Sequence, residues 1–216
     1  MQMKCLEIDR EGRLAAVEFD GAVERWRTGG GPFWIDVESL DRTDRARILS
    51  DVGLAEELAD ELLRSGNAAR VLPLDEALFL EFPTRVLGDP PELMSVSFVC
   101  FDRLVVTFRG AGPTDSAAIV EDLVKRLIVR ERSTAALVGA VLVELAIDLR
   151  HRTSALREQT VTFSRRMDAD PEAIELQEIL DLKREIVDLD AVADERGAVM
   201  DMLESIEHPA WRDERD

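Results

Sequence analysis

A chain of 216 residues, 46% of them apolar and 33% charged, is long enough to bury a sizeable core and too apolar to stay disordered. Its 45 acidic and 27 basic side chains leave a net charge of -18, which argues against a nucleic-acid phosphate binder and against docking on an anionic membrane surface. The same balance favours solubility and an attraction for cations. Cys5 and Cys100 both sit in apolar, strand-like runs and are too few for a disulfide framework, so both are expected reduced and buried. The N-terminal "MQMKCLEIDREG" has no apolar core of a secretory signal.

In chain order, "KCLEI" and "RLAAVEF" flank the turn Asp9-Arg10-Glu11-Gly12 and read as a hairpin. Gly29-Gly30-Gly31-Pro32 is a loop that leads into the short strand "FWIDV". Two helical patterns follow, "DRARILSDV" and "LAEELADELLRS", separated near Gly53 and closed by Gly66. "RVLPLDEALFLEFPTRVL" is strand material with a break at Pro73. "ELMSVSFVCF" and "RLVVTFR", joined at Asp102-Arg103, read as a second hairpin covered on both faces.

After Pro113 the pattern becomes helical only. Asp115 or Ser116 caps a helix running to about Arg130, and Ser133 caps a much longer one running to about Met167. Its run "AALVGAVLVELAIDL" is interrupted by Glu144 and Asp148, so it reads as a buried helix and not as a membrane span, which needs about 20 apolar residues. Leu142, Leu149, Leu156 and Phe163 recur every seven residues, while the second row, Leu145, Arg152, Gln159 and Arg166, turns polar. Asp170 and Pro171 are expected to start a further long helix. That helix carries Ile179, Leu182, Ile186, Leu189, Ala193, Met200 and Leu203 in three- and four-residue steps, broken once by Arg196. Two such helices form an antiparallel hairpin with a heptad seam. At about 1.5 Å per residue each arm reaches roughly 50 Å, more than a compact core requires.

Catalytic chemistry finds little to stand on. No G-x-S-x-G stretch occurs, and neither cysteine has a histidine partner at a telling spacing. His151 and His208 read as incidental surface residues, and the three glycines at 29–31 lack the Lys-Ser/Thr of a phosphate-binding loop. The chain is therefore expected not to be an enzyme. Carboxylates remain, and hard cations are bound by carboxylates and water. Glu56, Glu57, Asp60 and Glu61 fall within two turns of one helix, and Glu144 and Asp148 stand one turn apart on another. The competing explanation for Glu144 and Asp148 is ion pairing with the abundant arginines.

The order of "FWIDVES", "VGLAEELADELL", "LPLDEALFLEF", "DRLVVTFR", the Ser133 helix and "LKREIVDLDAVADERGAVMDML" resembles the cytoplasmic domain of the CorA family of divalent-cation transporters, including its ZntB-like zinc branch. The resemblance covers nearly the whole chain. It departs from the family pattern at Ala68-Ala69, where the family has Arg-Pro, and at Ala55-Glu56, where it has His-Pro. The family continues into a stalk helix, two membrane spans and a Gly-Met-Asn signature, whereas "AWRDERD" is a weak match to the start of that stalk. The chain is accordingly expected to be either the soluble part of a transporter or a relative without a pore.

The implied fold is α/β (α+β), a mixed β-sheet sandwiched by helices (α/β/α) with a long antiparallel C-terminal helical hairpin. Residues 1–132 would form the body, 133–207 the hairpin packed on and protruding from it, and 208–216 a tail. The implied function is a cytoplasmic metal-sensing and gating domain of a Mg²⁺/Co²⁺ transporter. Asp60, Glu61, Glu144 and Asp148 would then be ligands of a weak, regulatory Mg²⁺ (or Co²⁺ or Zn²⁺). The implied partners are further copies in a homo-pentamer and, through a C-terminal segment, the membrane; no nucleic acid is implied. A zinc transporter and a stand-alone interaction protein of the same fold are the other readings. The isolated chain, strongly acidic, is expected to be monomeric or weakly associating unless cations bridge its copies.

Overall fold

The computed structural model describes residues 2–38, 41–55, 59, 70–87, 92–109, 127–129 and 131–211. Seven strands form one sheet in the order β2-β1-β3-β7-β6-β5-β4, where β1 is Gln2–Ile8, β2 Leu14–Ala16, β3 Phe33–Glu38, β4 Arg70–Pro73, β5 Leu78–Leu87, β6 Glu92–Phe101 and β7 Leu104–Arg109. Among these, β3 and β7 run parallel and every other neighbouring pair is antiparallel, so the sheet is mixed. Pro83, which has no N–H for the ladder, marks a register shift against β6 between Pro83 and Arg85.

The two-residue period of the strands divides the core. Phe33, Ile35, Val37, Phe79 and Phe108 point to one face, beneath helices α1 (Phe19–Arg27) and α2 (Arg42–Asp51). Trp34, Leu80, Phe82, Phe98 and Val105 point to the other, beneath α3 (Thr134–Ala169) and α4 (Leu176–Ser205). Helices thus cover both faces of the sheet, as expected.

Several local expectations are corrected. "RLAAVEF" is not one strand: its last ladder bond is Val17 N–H to the Cys5 carbonyl, and α1 begins at Phe19. Ala22 and Val23 bury against the sheet, and the Trp26 indole N–H donates to the Asp102 carbonyl at 2.7 Å. Gly29, at φ 85°, takes the chain out of the helix in the left-handed region. The expected helix does not reach Arg130: Leu127 is not helical, Ile128 bridges Arg13, and the Val129 N–H donates to the Gly12 carbonyl at 2.8 Å. Gly12, at φ 80°, lies so close to this segment that a Cβ would meet the Val129 carbonyl oxygen at 2.4 Å. The rest of the stretch expected to be that helix lies outside the described residues, as does all of "LAEELADELLRS" except Leu54, Ala55 and Ala59.

The Ser133 hydroxyl caps α3 by accepting from the Ala136 N–H at 3.1 Å, and the Thr134 hydroxyl ties the helix start to the Phe101 carbonyl at 3.0 Å. Asp170 makes no capping bond; a 3-10 turn at Pro171–Ala173 intervenes, and α4 starts at Leu176 behind a capping box of Glu175 and Glu178. His208 is no incidental surface residue. Only 6% exposed, it sets its Nε2 2.8 Å from the Leu74 carbonyl and fastens the end of α4 to the β4–β5 connection.

Candidate functional site

Two halves of the hairpin differ in how they are held. In α3 the buried apolar side chains Leu137, Val138, Val141, Leu142 and Leu145 crowd into the first third, with Leu156 alone beyond. In α4 the buried row is Leu189, Val192, Arg196, Val199 and Leu203, from the middle of the helix onward. Arg196 therefore does not break the row that faces the sheet; it is a member of it. The expected seam residues Ile179, Ile186, Ala193 and Met200 are exposed instead.

Arg196 is 6% exposed and reaches three backbone carbonyls on two other elements. Its Nε donates to the Pro83 carbonyl at 2.7 Å, one terminal nitrogen to Leu145 at 2.7 Å, and the other to Thr84 at 3.4 Å. The guanidinium also stacks over the Phe82 ring, 5.1 Å from its centroid. The bulge at Pro83 is what makes this possible: where the ladder shifts register, strand carbonyls turn away from their usual partners and accept from a side chain. Arg152 of α3 donates to the same Thr84 carbonyl at 3.2 Å. The two arginines that interrupt the apolar rows of the two helices thus converge on a single oxygen of β5.

Two guanidinium groups so close need a counter-charge, and Asp148 supplies it. Burial draws the Arg196 pKa down to about 10; the Asp148 carboxylate opposes that shift, while the charge of Arg152 adds to it. Asp148 is half-buried, four residues after Glu144, which is also half-buried and already has a partner within the fold. Of the four expected ligands, the structure brings Glu144 and Asp148 together on one face of α3; Asp60 and Glu61 lie outside the described residues. All of these donors are carboxylate oxygens, the right chemistry for a hard divalent cation. Among the described residues, however, no three His, Cys, Asp or Glu side chains are grouped to hold a metal ion. Glu144 and Asp148 thus offer an incomplete shell, and Asp148 shares its charge with Arg196.

A second buried polar chain crosses the parallel pair. The Trp34 indole donates to the Thr107 hydroxyl at 3.0 Å, and Thr107 donates to Asp36 Oδ1 at 2.8 Å. Arg109 Nε lies 3.3 and 3.1 Å from the two Asp36 oxygens, and its Nη1 pairs with Glu38 at 2.7 Å. Burial pushes the Asp36 carboxyl up, against the pull of Arg109 and Thr107. The chain joins β3 to β7 below the sheet surface, and every member has a partner.

At the far end of the hairpin the helices do not close on one another. A cavity of about 690 Å³ lies between them, lined by Phe163 and Leu182 but also by Glu158, Asp181 and Glu185. Arg166 and Glu178 bridge it with bonds of 2.6 and 3.1 Å. A heptad seam needs two apolar rows on each helix; α3 offers Gln159 and Arg166 in its second row.

A mixed sheet between helix layers, continued by a long helix pair, is the architecture of the soluble part of a class of ion transporters. The model of the CorA-like Mg²⁺ transporter protein family matches residues 29–216, and the chain belongs to that family. No curated protein matches it. Among solved structures it is similar to the soluble domain of CorA from Methanocaldococcus jannaschii, at 13% identity and a TM-score of 0.75, over 99% of this chain and 83% of that one. It is also similar to the full-length CmaX protein, at 17% identity and a TM-score of 0.74, over 98% of this chain and 65% of that one. The ZntB cytoplasmic domain from Vibrio parahaemolyticus RIMD 2210633 matches at 14% identity and a TM-score of 0.67, over 94% and 79%. The chain spans about two thirds of the full-length CmaX protein. No helix among the described residues is long and apolar enough to cross a membrane.

Proposed function

We propose that the chain is the metal-sensing and gating domain of a CorA-like Mg²⁺/Co²⁺ transporter, working on the cytoplasmic face of the membrane within a homo-pentamer, and is not an enzyme. The observation that carries this reading is the position of Asp148. Its carboxylate acts by charge on the Arg196 guanidinium, opposing the loss of that cation on burial, and Arg196 bonds α4 to the Pro83 bulge and to α3. A change in the charge at Asp148 is therefore felt where hairpin and sheet are joined.

In this reading Glu144 and Asp148 contribute carboxylate oxygens to a weak regulatory site, and Asp60 and Glu61 complete it from elsewhere in the assembly. The ion supplies positive charge that relieves repulsion between strongly acidic subunits and so favours one of their arrangements. Arg196 and Arg152 keep Asp148 from being an uncompensated charge when no ion is near. Oxygen donors favour Mg²⁺ over Zn²⁺ here, which ranks the zinc reading second despite the likeness to the ZntB domain.

Titration calorimetry with Mg²⁺, Co²⁺ and Zn²⁺ tests this on the chain and on Glu144→Gln, Asp148→Asn and Asp60→Ala/Glu61→Ala. The expected outcome is Mg²⁺ binding that weakens at least about tenfold in each variant, the loss of one ionic ligand costing about 1.4 kcal/mol or more. Binding equal to that of the parent chain would remove the substituted residue from the site.

A further inference from the structure

The two long helices meet at Thr84, and its carbonyl is overcommitted. The oxygen accepts from Arg152 of α3 at 3.2 Å and from Arg196 of α4 at 3.4 Å, while the Thr84 hydroxyl donates to the Met94 carbonyl at 3.0 Å. Both bonds to the shared oxygen are long for a guanidinium donor. The other two bonds of Arg196, to Pro83 and Leu145, measure 2.7 Å each. Two cations on one acceptor repel, and only negative charge nearby offsets the repulsion. Asp148 carries that charge: it precedes Arg152 by one turn on the same face of α3, and its carboxylate acts on Arg196 as well.

The two arginines differ in their freedom to separate. Arg196 is only 6% exposed and pinned by its two short bonds, so displacing it would strand a buried charge. Arg152 is half-buried, and its long stem can carry the guanidinium out to water without moving the helix. Whatever upsets the balance of charge at Thr84 therefore expels Arg152 and leaves Arg196 in place.

We propose, resting on the metal-sensing reading above, that Arg152 is the moving part of the cation response: a divalent ion held by Glu144 and Asp148 drives the Arg152 guanidinium off the Thr84 carbonyl and so unties α3 from β5. An ion on the Asp148 carboxylate cancels the charge that lets two guanidinium groups share one oxygen, and adds positive charge one turn from Arg152. The result is selective. The bonds of Arg196 keep α4 on the sheet, while α3 gives up the link to β5 that Arg152 provides. The effect is also reciprocal: whatever the ion takes from the Arg152 bond, the presence of Arg152 takes from the affinity for the ion. Arg152 acts through Thr84 and Asp148 and touches no ion itself, which makes it a positioning residue.

Titration calorimetry with Mg²⁺ at about 0.15 M salt, where the screening length is about 8 Å, tests this on the parent chain and on variants of α3. Arg152→Gln should bind Mg²⁺ about fivefold more tightly, the gain from removing one partly exposed competing charge. Arg152→Lys keeps the cation and should stay within about twofold of the parent. Arg157→Gln also removes a positive charge, but from an exposed position about 13 Å along the helix from Asp148, so the affinity should not change. In side-chain nitrogen NMR, saturating Mg²⁺ should let the Arg152 guanidinium protons exchange with water as those of a solvated arginine do, while those of Arg196 stay protected. Unchanged or weaker binding by Arg152→Gln would overturn the proposal. So would an equal gain in Arg157→Gln, or Arg152 protons that Mg²⁺ leaves unaffected. If the parent binds no Mg²⁺, or Asp148→Asn binds it as the parent does, the site reading falls and this coupling falls with it. If Asp148→Asn loses binding while Arg152→Gln matches the parent, only the coupling falls.

Discussion

The inner and outer halves of the same helical hairpin obey different rules. The inner half puts Leu137, Leu142, Leu145, Val199 and Leu203 into the core on one face of the sheet and locks them with Arg196. In the outer half, from Arg157 to Asp188, no side chain whose burial is described is buried. There the acids Glu158, Asp181 and Glu185 line the gap between the helices, while Leu176, Leu180 and Val187 face outward. A helix pair in water would be expected to do the reverse. The inner half is held by burial; the outer half rests on helix propensity, the turn and one ion pair.

The contrast can be broken most forcefully at Arg196. Arg196→Ala removes charge-assisted bonds to three carbonyls and the cation on which the Asp148 charge acts. It should lower unfolding stability by about 3 kcal/mol or more, read as a lower denaturant midpoint with unchanged slope. A loss below about 1 kcal/mol would mean that packing alone joins hairpin and sheet. The next test compares the halves directly. Leu145→Ala, at a position 3% exposed, should cost about 2–3 kcal/mol. Ile179→Ala, at 42% exposure, should stay within about 0.5 kcal/mol. Equal losses would show that the outer half is as tightly packed as the inner.

What the sequence revealed follows the same division. Strands β3, β6 and β7, the Ser133 cap and the two long helices were legible because each is written in local signals: period-two apolar runs, a turn, a hydroxyl before a helix. Helix α1 was missed because "RLAAVEF" is apolar enough to read as one strand; the spacing of Phe19, Ala22, Val23 and Trp26 before Thr28-Gly29 was the signal available. The inward face of α4 was misjudged for a different reason. The helix carries two apolar rows, and the one that faces the sheet contains an arginine. No local pattern marks an arginine as buried, since its burial depends on carbonyls freed by a bulge far away in the chain. One clue was present: Arg152 and Arg196 each interrupt an apolar row, and paired interruptions on adjoining helices point to a shared acceptor. Of the candidate ligands, the spacing of Glu144 and Asp148 placed them on one face of α3, but the arginine that shares the charge of Asp148 could not be read from spacing.

The smallest expected effect lies at the hairpin's outer end, where Arg166 and Glu178 join α3 to the first turn of α4. The bond from Arg166 holds the Glu178 carboxyl below its ordinary value of 4.5, and the Glu175 N–H adds to that shift. A carboxyl lowered in the folded state contributes stability that is present above its unfolded pKa and is lost as pH falls through the folded pKa. The contact should therefore be intact from neutral pH down to about 5 and released in the acid range below the ordinary carboxyl value. Arg166→Gln should move the Glu178 titration upward in carboxyl-detected NMR, while the remaining Glu175 contact keeps it from rising fully to the ordinary value. Both groups are exposed, so global stability should scarcely change, but amide exchange in the first turns of α4 should quicken. An unmoved titration would show that the capping contact alone holds Glu178, and that the outer half of the hairpin lacks even its one electrostatic tie.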